Sequence, residues 1–212
     1  MVVPWQLQPV PVRLFVIACV LAEMLALAGA LTGFGSQIRN AMVGLGGFWP
    51  TVLKGASPLF AAQPVTMFGT AAFLHGGPMH LFMNMVGLLW LGPMVLDRLG
   101  AAAFWPIAGL SALAAGGVFA LLAQGSAPMV GASGVLFGFL GVVAVWQVLD
   151  ALDRKESLAP LLGPSLLFIG LNVALTIASP ASIAWQAHLG GFLGGALCGC
   201  LTWRNGLARP FS

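Results

Sequence analysis

Charge is what this sequence has least of. Of its 212 residues only 6% are Asp, Glu, Lys or Arg, while 59% are apolar and the mean hydropathy is +1.00. A soluble domain of this length cannot clothe its surface with so few ionised groups. The three cysteines, Cys19, Cys198 and Cys200, form no ladder of spacings. That excludes a disulfide framework or a zinc knuckle and leaves them as small buried hydrophobes. Strict apolar/polar alternation is missing as well, so the long apolar runs are not the strands of a membrane β-barrel. No pair of interrupted half-helices recurs in matching positions of two halves, the pattern that internal repeats of transporters leave.

What remains is a polytopic, all-α membrane protein. Six windows are apolar over the roughly 17 to 25 residues that a helix needs to cross about 30 Å of hydrocarbon: 14–31, 79–96, 101–123, 130–149, 158–178 and 183–203. Six transmembrane helices are expected, in one membrane domain covering 1–212. The first is read as retained, since it is too long for a signal-peptide core and no small-x-small site precedes a hydrophilic segment. The segment 32–78 is a long outer first loop, broken by Gly44, Gly46 and Gly47 and by Pro50, Pro58 and Pro64, with apolar patches at Phe48, Trp49, Leu53, Leu59, Phe60 and Phe68. Short helices lying partly in the interface are expected there. The other connections are short, and 205–212 is a short cytoplasmic tail.

Positive charge is retained on the cytoplasmic side of short loops. With both termini inside, Arg13, Arg98, Arg154, Lys155, Arg204 and Arg209 are cytoplasmic and only Arg39 and Lys54 are outside. The net charge of +3 thus describes loops beside anionic headgroups and gives no case for nucleic acid. Trp105, Trp185 and Trp203 near helix ends read as an interfacial belt. A minimal length without extra domains suggests a bacterial-type inner membrane.

Under this topology the second, fourth and sixth helices begin in the outer leaflet, and their first turns carry the polar side chains. At about 1.5 Å rise per residue, His80 lies near the surface, Ser133 roughly 5 Å below its helix start, His188 roughly 8 Å and Asn84 roughly 9 Å down. Polar groups in hydrocarbon are expensive unless they pair, line a cavity or do chemistry. Ser133, in Gly131-Ala132-Ser133-Gly134, is a nucleophile candidate at a helix N-terminus, where unpaired N–H groups favour developing negative charge. His188 is a base candidate that can take the serine proton and return it to a leaving amine. His80 and Asn84, four residues apart on one face, can join the Ser133 N–H as oxyanion donors. Gly134, Gly138 and Gly141 facing Gly191 and Gly195 are small residues that let two helices approach. The five acids are Glu23, in mid-membrane, and Asp97, Asp150, Asp153 and Glu156, on the cytoplasmic side. No acid therefore completes a triad, and a dyad is the chemistry on offer.

In these residues the chain resembles the rhomboid intramembrane serine proteases. The motifs are His75-Gly76-Gly77-Pro78-Met79-His80 followed by Asn84, then Gly131-Ala132-Ser133-Gly134, then Ala187-His188 with Gly191 and Gly195. The resemblance implies a six-helix rhomboid core, Ser133 as nucleophile, His188 as base, His80 and Asn84 assisting the oxyanion, and no cofactor. It also implies transmembrane-helix substrates, with small residues at the cut, entering from the bilayer past the fifth helix (158–178) and the turn at 179–182. Phe137 stands where many rhomboids carry a tyrosine, and the Trp-Arg pair often seen in the first loop is missing.

Blander readings exist for each residue. Ser133 alone is a helix cap or packing residue, and His188 and Asn84 alone are interhelical glue. His75 is read as structural, orienting the first loop, while Glu23 is either protonated or paired with a neighbouring helix. His75, His80 and His188 are enough ligands for zinc, but no carboxylate lies near them and no His-Glu-x-x-His helix exists. The alternative of a different class is a catalytically silent rhomboid-like protein that binds transmembrane helices.

Overall fold

The computed structural model describes residues 4–31, 33–159 and 184–208, with isolated positions 163, 166 and 170. Regular structure among these residues is helical: α1 (Val10–Leu31), α2 (Gly35–Gly46), α3 (Pro50–Leu53), α4 (Gln63–Thr70), α5 (Pro78–Leu99), α6 (Phe104–Leu122), α7 (Ser133–Arg154) and α8 (Trp185–Arg204). One isolated antiparallel bridge joins Phe48 to Met129. Among the described residues four segments, Val10–Gly29, Pro78–Leu99, Ala101–Leu122 and Ser133–Arg154, are long and apolar enough to cross a membrane. The protein is an all-α polytopic membrane protein. The sixth apolar window is also a helix, α8, but Gln186, His188 and its glycines make it less apolar than those four. The fifth, with the turn proposed to gate substrate, lies largely outside the described residues.

Helix ends follow local chemistry. Pro78 opens α5 at a position whose missing N–H has no helical partner to lose. At the other end of α5, Gly100 adopts φ 80° and returns its N–H to the Leu96 carbonyl at 2.7 Å. The fourth window begins at 130 by hydropathy, yet α7 starts only at Ser133. Met129 is held in the bridge to Phe48, and Gly131 turns at φ 125°, so the chain is not helical until it has passed both.

The long first connection forms the expected short helices, α2 to α4, and is pinned to the bundle. Phe48 is fully buried against Phe68 and Phe119, over Gly116 of α6, where a Cβ would lie 2.7 Å from the Phe48 ring. Gln63, 1% exposed, donates to the Gly44 carbonyl at 2.8 Å and accepts from the Leu59 N–H at 2.7 Å. Its polar ends are thereby satisfied, as burial requires.

Glycine sets how the last helices pack. A Cβ on Gly191 would run into the Gly134 carbonyl, one on Gly195 into the Gly138 carbonyl, and one on Gly141 into the Phe192 carbonyl. On the adjoining face of α8, Gly190 and Gly194 meet Ala114 of α6. In a bilayer such contacts replace the hydrophobic drive for helix association, because lipid tails are as apolar as leucine. Leu189, Leu193, Leu197 and Leu201 stand exposed along the outer side of α8 at 41% to 61%, an apolar face suited to hydrocarbon. The interior is filled by Phe15, Leu88, Leu91, Val95, Phe104, Phe139 and Trp146. At the end of the bundle away from Ser133, Arg98 pairs with Asp150 at 3.0 Å beneath Trp146, and Trp203 donates to the same carboxylate at 3.1 Å.

Candidate active site

Three helices place their N-terminal turns together. Ser133 is the first residue of α7, His188 the fourth of α8 and His80 the third of α5. The glycine contacts bring the first two into register, and His188 Nε2 lies 2.9 Å from Ser133 Oγ. With the proton on Nδ1, Nε2 accepts the serine O–H, the arrangement that activates a nucleophile. Phe137, one turn after Ser133 on the same face of α7, stacks on the His188 ring with centroids 4.2 Å apart and planes 8° from parallel. That leaves the imidazole little freedom to turn away from Oγ.

His80 approaches from the other side. A Cβ on Gly131 would lie 2.8 Å from both His80 Cε1 and Nε2 and 3.7 Å from Ser133 Oγ, so the imidazole edge rests against the backbone just before the serine. Gly131 is required twice over, by this contact and by its φ of 125°. His80 Nδ1 accepts from the Gly76 N–H at 3.3 Å. Asn84, 4% exposed and one turn further along α5, donates from Nδ2 to the His80 carbonyl at 2.8 Å. Its second amide hydrogen is left to donate elsewhere.

His75 is 3% exposed and meets His80 edge to face, ring centroids 5.2 Å apart. Burial, then the neighbouring His80, push its pKa down from 6.5 to about 4, with the Phe73 carbonyl opposing and Arg39 adding to the fall. It is therefore neutral at physiological pH. Asp150 lies 17 residues along α7 from Ser133, roughly 25 Å. Glu23 is engaged by Arg39 at 2.6 Å.

That engagement was not evident in the apolar pattern. Buried Glu23 of α1 and half-buried Arg39 of α2 form an ion pair, and Arg39 also donates to the His75 carbonyl at 2.6 Å. The available signal was charge: Glu23 is the one acid inside an apolar window, and Arg39 is one of two basic residues expected on its side of the membrane. Of the two readings open for Glu23, pairing is the one the structure shows.

An all-helical membrane bundle with a serine and a histidine in contact at the head of two glycine-packed helices defines the class of protein. The sequence family described as Rhomboid domain matches residues 62–205, and the chain belongs to the rhomboid family. It is 33% identical over 128 residues to RHOMBOID-like protein 5 of Arabidopsis thaliana, covering 60% of this chain and 40% of that protein. It is 28% identical over 151 residues to Rhomboid-like protease 3 of Toxoplasma gondii, covering 70% of this chain and 57% of that one. A match at 28% over 142 residues to Rhomboid-like protease 5 of Toxoplasma gondii covers 63% of this chain and 16% of the relative. The chain thus spans about half or less of the length of these relatives.

Proposed function

We propose that this chain is an intramembrane serine endopeptidase that cleaves transmembrane-helix substrates through a Ser133–His188 dyad. The supporting observation is the 2.9 Å contact between Ser133 Oγ and His188 Nε2, held by ring stacking on Phe137. Ser133 Oγ attacks the scissile carbonyl carbon while its proton passes to His188 Nε2. The oxyanion forms at the α7 N-terminus, where the Ser133 N–H, His80 Nε2–H and Asn84 side chain supply donors. His188 then gives its proton to the leaving amine, and the C–N bond breaks to leave an acyl ester on Ser133. Water, deprotonated by the same imidazole, hydrolyses that ester and regenerates the serine. In this reading no cofactor takes part, both termini are cytoplasmic, and the dyad faces the outer leaflet of a bacterial inner membrane.

The test is cleavage of a model transmembrane substrate by purified protein in detergent, with and without chelator, beside Ser133→Ala and His188→Ala. Cleavage that is lost in both variants and indifferent to chelator is the expected result. No cleavage over several substrates, together with no labelling of Ser133 by a fluorophosphonate, would replace the proposal with a silent helix-binding protein. Substrate passage beside the 158–178 segment has its own test. Crosslinking that segment to α5 is expected to suppress cleavage, and undiminished cleavage would refute the route.

A further inference from the structure

Glu23 and Arg39 lie outside residues 62–205, the part of the chain matched by the family. Their pairing is nevertheless one peptide group away from the site. Arg39 grips Glu23 through Nη2 to Oε1 at 2.6 Å and Nη1 to Oε2 at 3.0 Å, and the same Nη1 donates to the His75 carbonyl at 2.6 Å. The His75 carbonyl and the Gly76 N–H belong to one planar peptide unit and point in opposite directions across it. While the carbonyl is held by Arg39, the N–H on the far side donates to His80 Nδ1 at 3.3 Å. A nitrogen that accepts a hydrogen bond carries no proton, so the neutral His80 ring bears its hydrogen on Nε2. That Nε2 is the atom set against Gly131, beside Ser133.

We infer that Arg39, anchored on Glu23, is a positioning residue for the oxyanion side of the site: it fixes the 75–76 peptide and thereby the orientation and tautomer of His80. The inference rests on the proteolytic reading above. Two glycines, Gly76 and Gly77, follow His75, and Gly77 sits at φ 150°, so the turn has little stiffness of its own. The guanidinium supplies it from outside. A planar fork can hold a carboxylate bidentately and still reach a carbonyl, whereas a lysine ammonium offers a single point. If the 75–76 peptide rotates, the Arg39 and His80 bonds are lost together, and His80 can present an acceptor where the oxyanion needs a donor.

The experiment uses the full chain in detergent micelles with Arg39→Gln, Arg39→Lys, His80→Ala and the double variant Arg39→Gln/His80→Ala. Cleavage of a transmembrane reporter is expected to fall about 10- to 100-fold in kcat for Arg39→Gln, with KM changed by less than about 2-fold, as befits partial loss of an oxyanion donor. Arg39→Lys is expected to recover only part of that loss. The double variant should be no slower than His80→Ala alone, because both remove the same donor. Losses that multiply in the double variant, or an Arg39→Gln enzyme as fast as wild type, would overturn the inference. A readout independent of activity is the 15N spectrum of histidine-labelled protein, with the His80 signals assigned through His80→Ala. Wild type should show the proton on His80 Nε2, and Arg39→Gln a mixture of tautomers. Should Arg39→Gln fail to fold, Arg39→Lys carries the same comparison. An unchanged tautomer refutes the relay even in a protein that cleaves nothing, while an inactive wild type with the expected tautomer refutes the proteolytic reading alone.

Discussion

Replacing Gly195 by alanine probes how the proposed dyad is assembled, because Gly195 touches neither Ser133 nor His188. It lies seven residues beyond His188 on α8, about 10 Å along the axis. A Cβ there would overlap the Gly138 carbonyl of α7 well inside any tolerated contact. The backbones have to part by roughly 1 to 1.5 Å before that contact becomes ordinary. Overpacking of this kind costs about 1 to 3 kcal/mol. If α8 moves as a rigid body, the 2.9 Å separation of Ser133 Oγ and His188 Nε2 opens by about the same amount, past hydrogen-bonding reach. A displacement of about 1 Å at reacting groups costs on the order of 100-fold in rate. The assay pairs kcat for a transmembrane reporter with the thermal midpoint in the same detergent. Gly117→Ala on α6, where a new Cβ meets nothing within 4 Å, is the control and should stay within about 2-fold of wild type. A Gly195→Ala protein that cleaves within about 3-fold of wild type would refute the argument that backbone contact sets the dyad distance.

Three further outcomes follow from the geometry. Phe137→Ala removes the ring stacked on His188 and empties a buried core position, so it should lower both kcat, about 10-fold, and the melting midpoint, whereas Phe137→Tyr keeps the stack and should stay close to wild type in both. Asp150→Asn removes the carboxylate charge that pairs with the Arg98 guanidinium, whose side chain is 2% exposed. A lowered melting midpoint is expected, with Ser133 still labelled by a fluorophosphonate at low temperature. His75 gives a pH dependence. Its pKa is about 4 when folded against 6.5 when free, so between those values the unfolded chain binds a proton that the folded chain does not. Stability should therefore fall as pH drops through that window, by up to about 3 kcal/mol, and level off below it. Melting curves from pH 4 to 7 should have a shallower slope in His75→Gln, and an unaltered slope would refute the assignment.

The bilayer-crossing helices were readable without a structure because hydropathy is summed along the chain, and hydrocarbon tolerates few alternatives to an apolar helix. The same holds for the polar residues singled out. Ser133, His188, His80 and Asn84 were conspicuous because such side chains are costly in that setting. Boundaries were less legible. The start of α7 shifted from 130 to Ser133 through the positive φ of Gly131 and the pairing of Met129 with Phe48, a partner 81 residues earlier in sequence. The Glu23–Arg39–His75 connection was likewise hidden, although its charges were in plain sight.

By itself, then, the sequence determined the class of protein, the spans it can form and a short list of side chains that are costly in lipid unless they pair, line a cavity or do chemistry. Which of these meet was decided only by tertiary structure. Ser133 and His188 are 55 residues apart, and their 2.9 Å contact depends on the rotation and depth of two helices. Those are set by Gly191 and Gly195 seated on the carbonyls of Gly134 and Gly138. Glycine spacing permits such an approach on many helices, but only the packed bundle selects the register that joins the serine to the histidine.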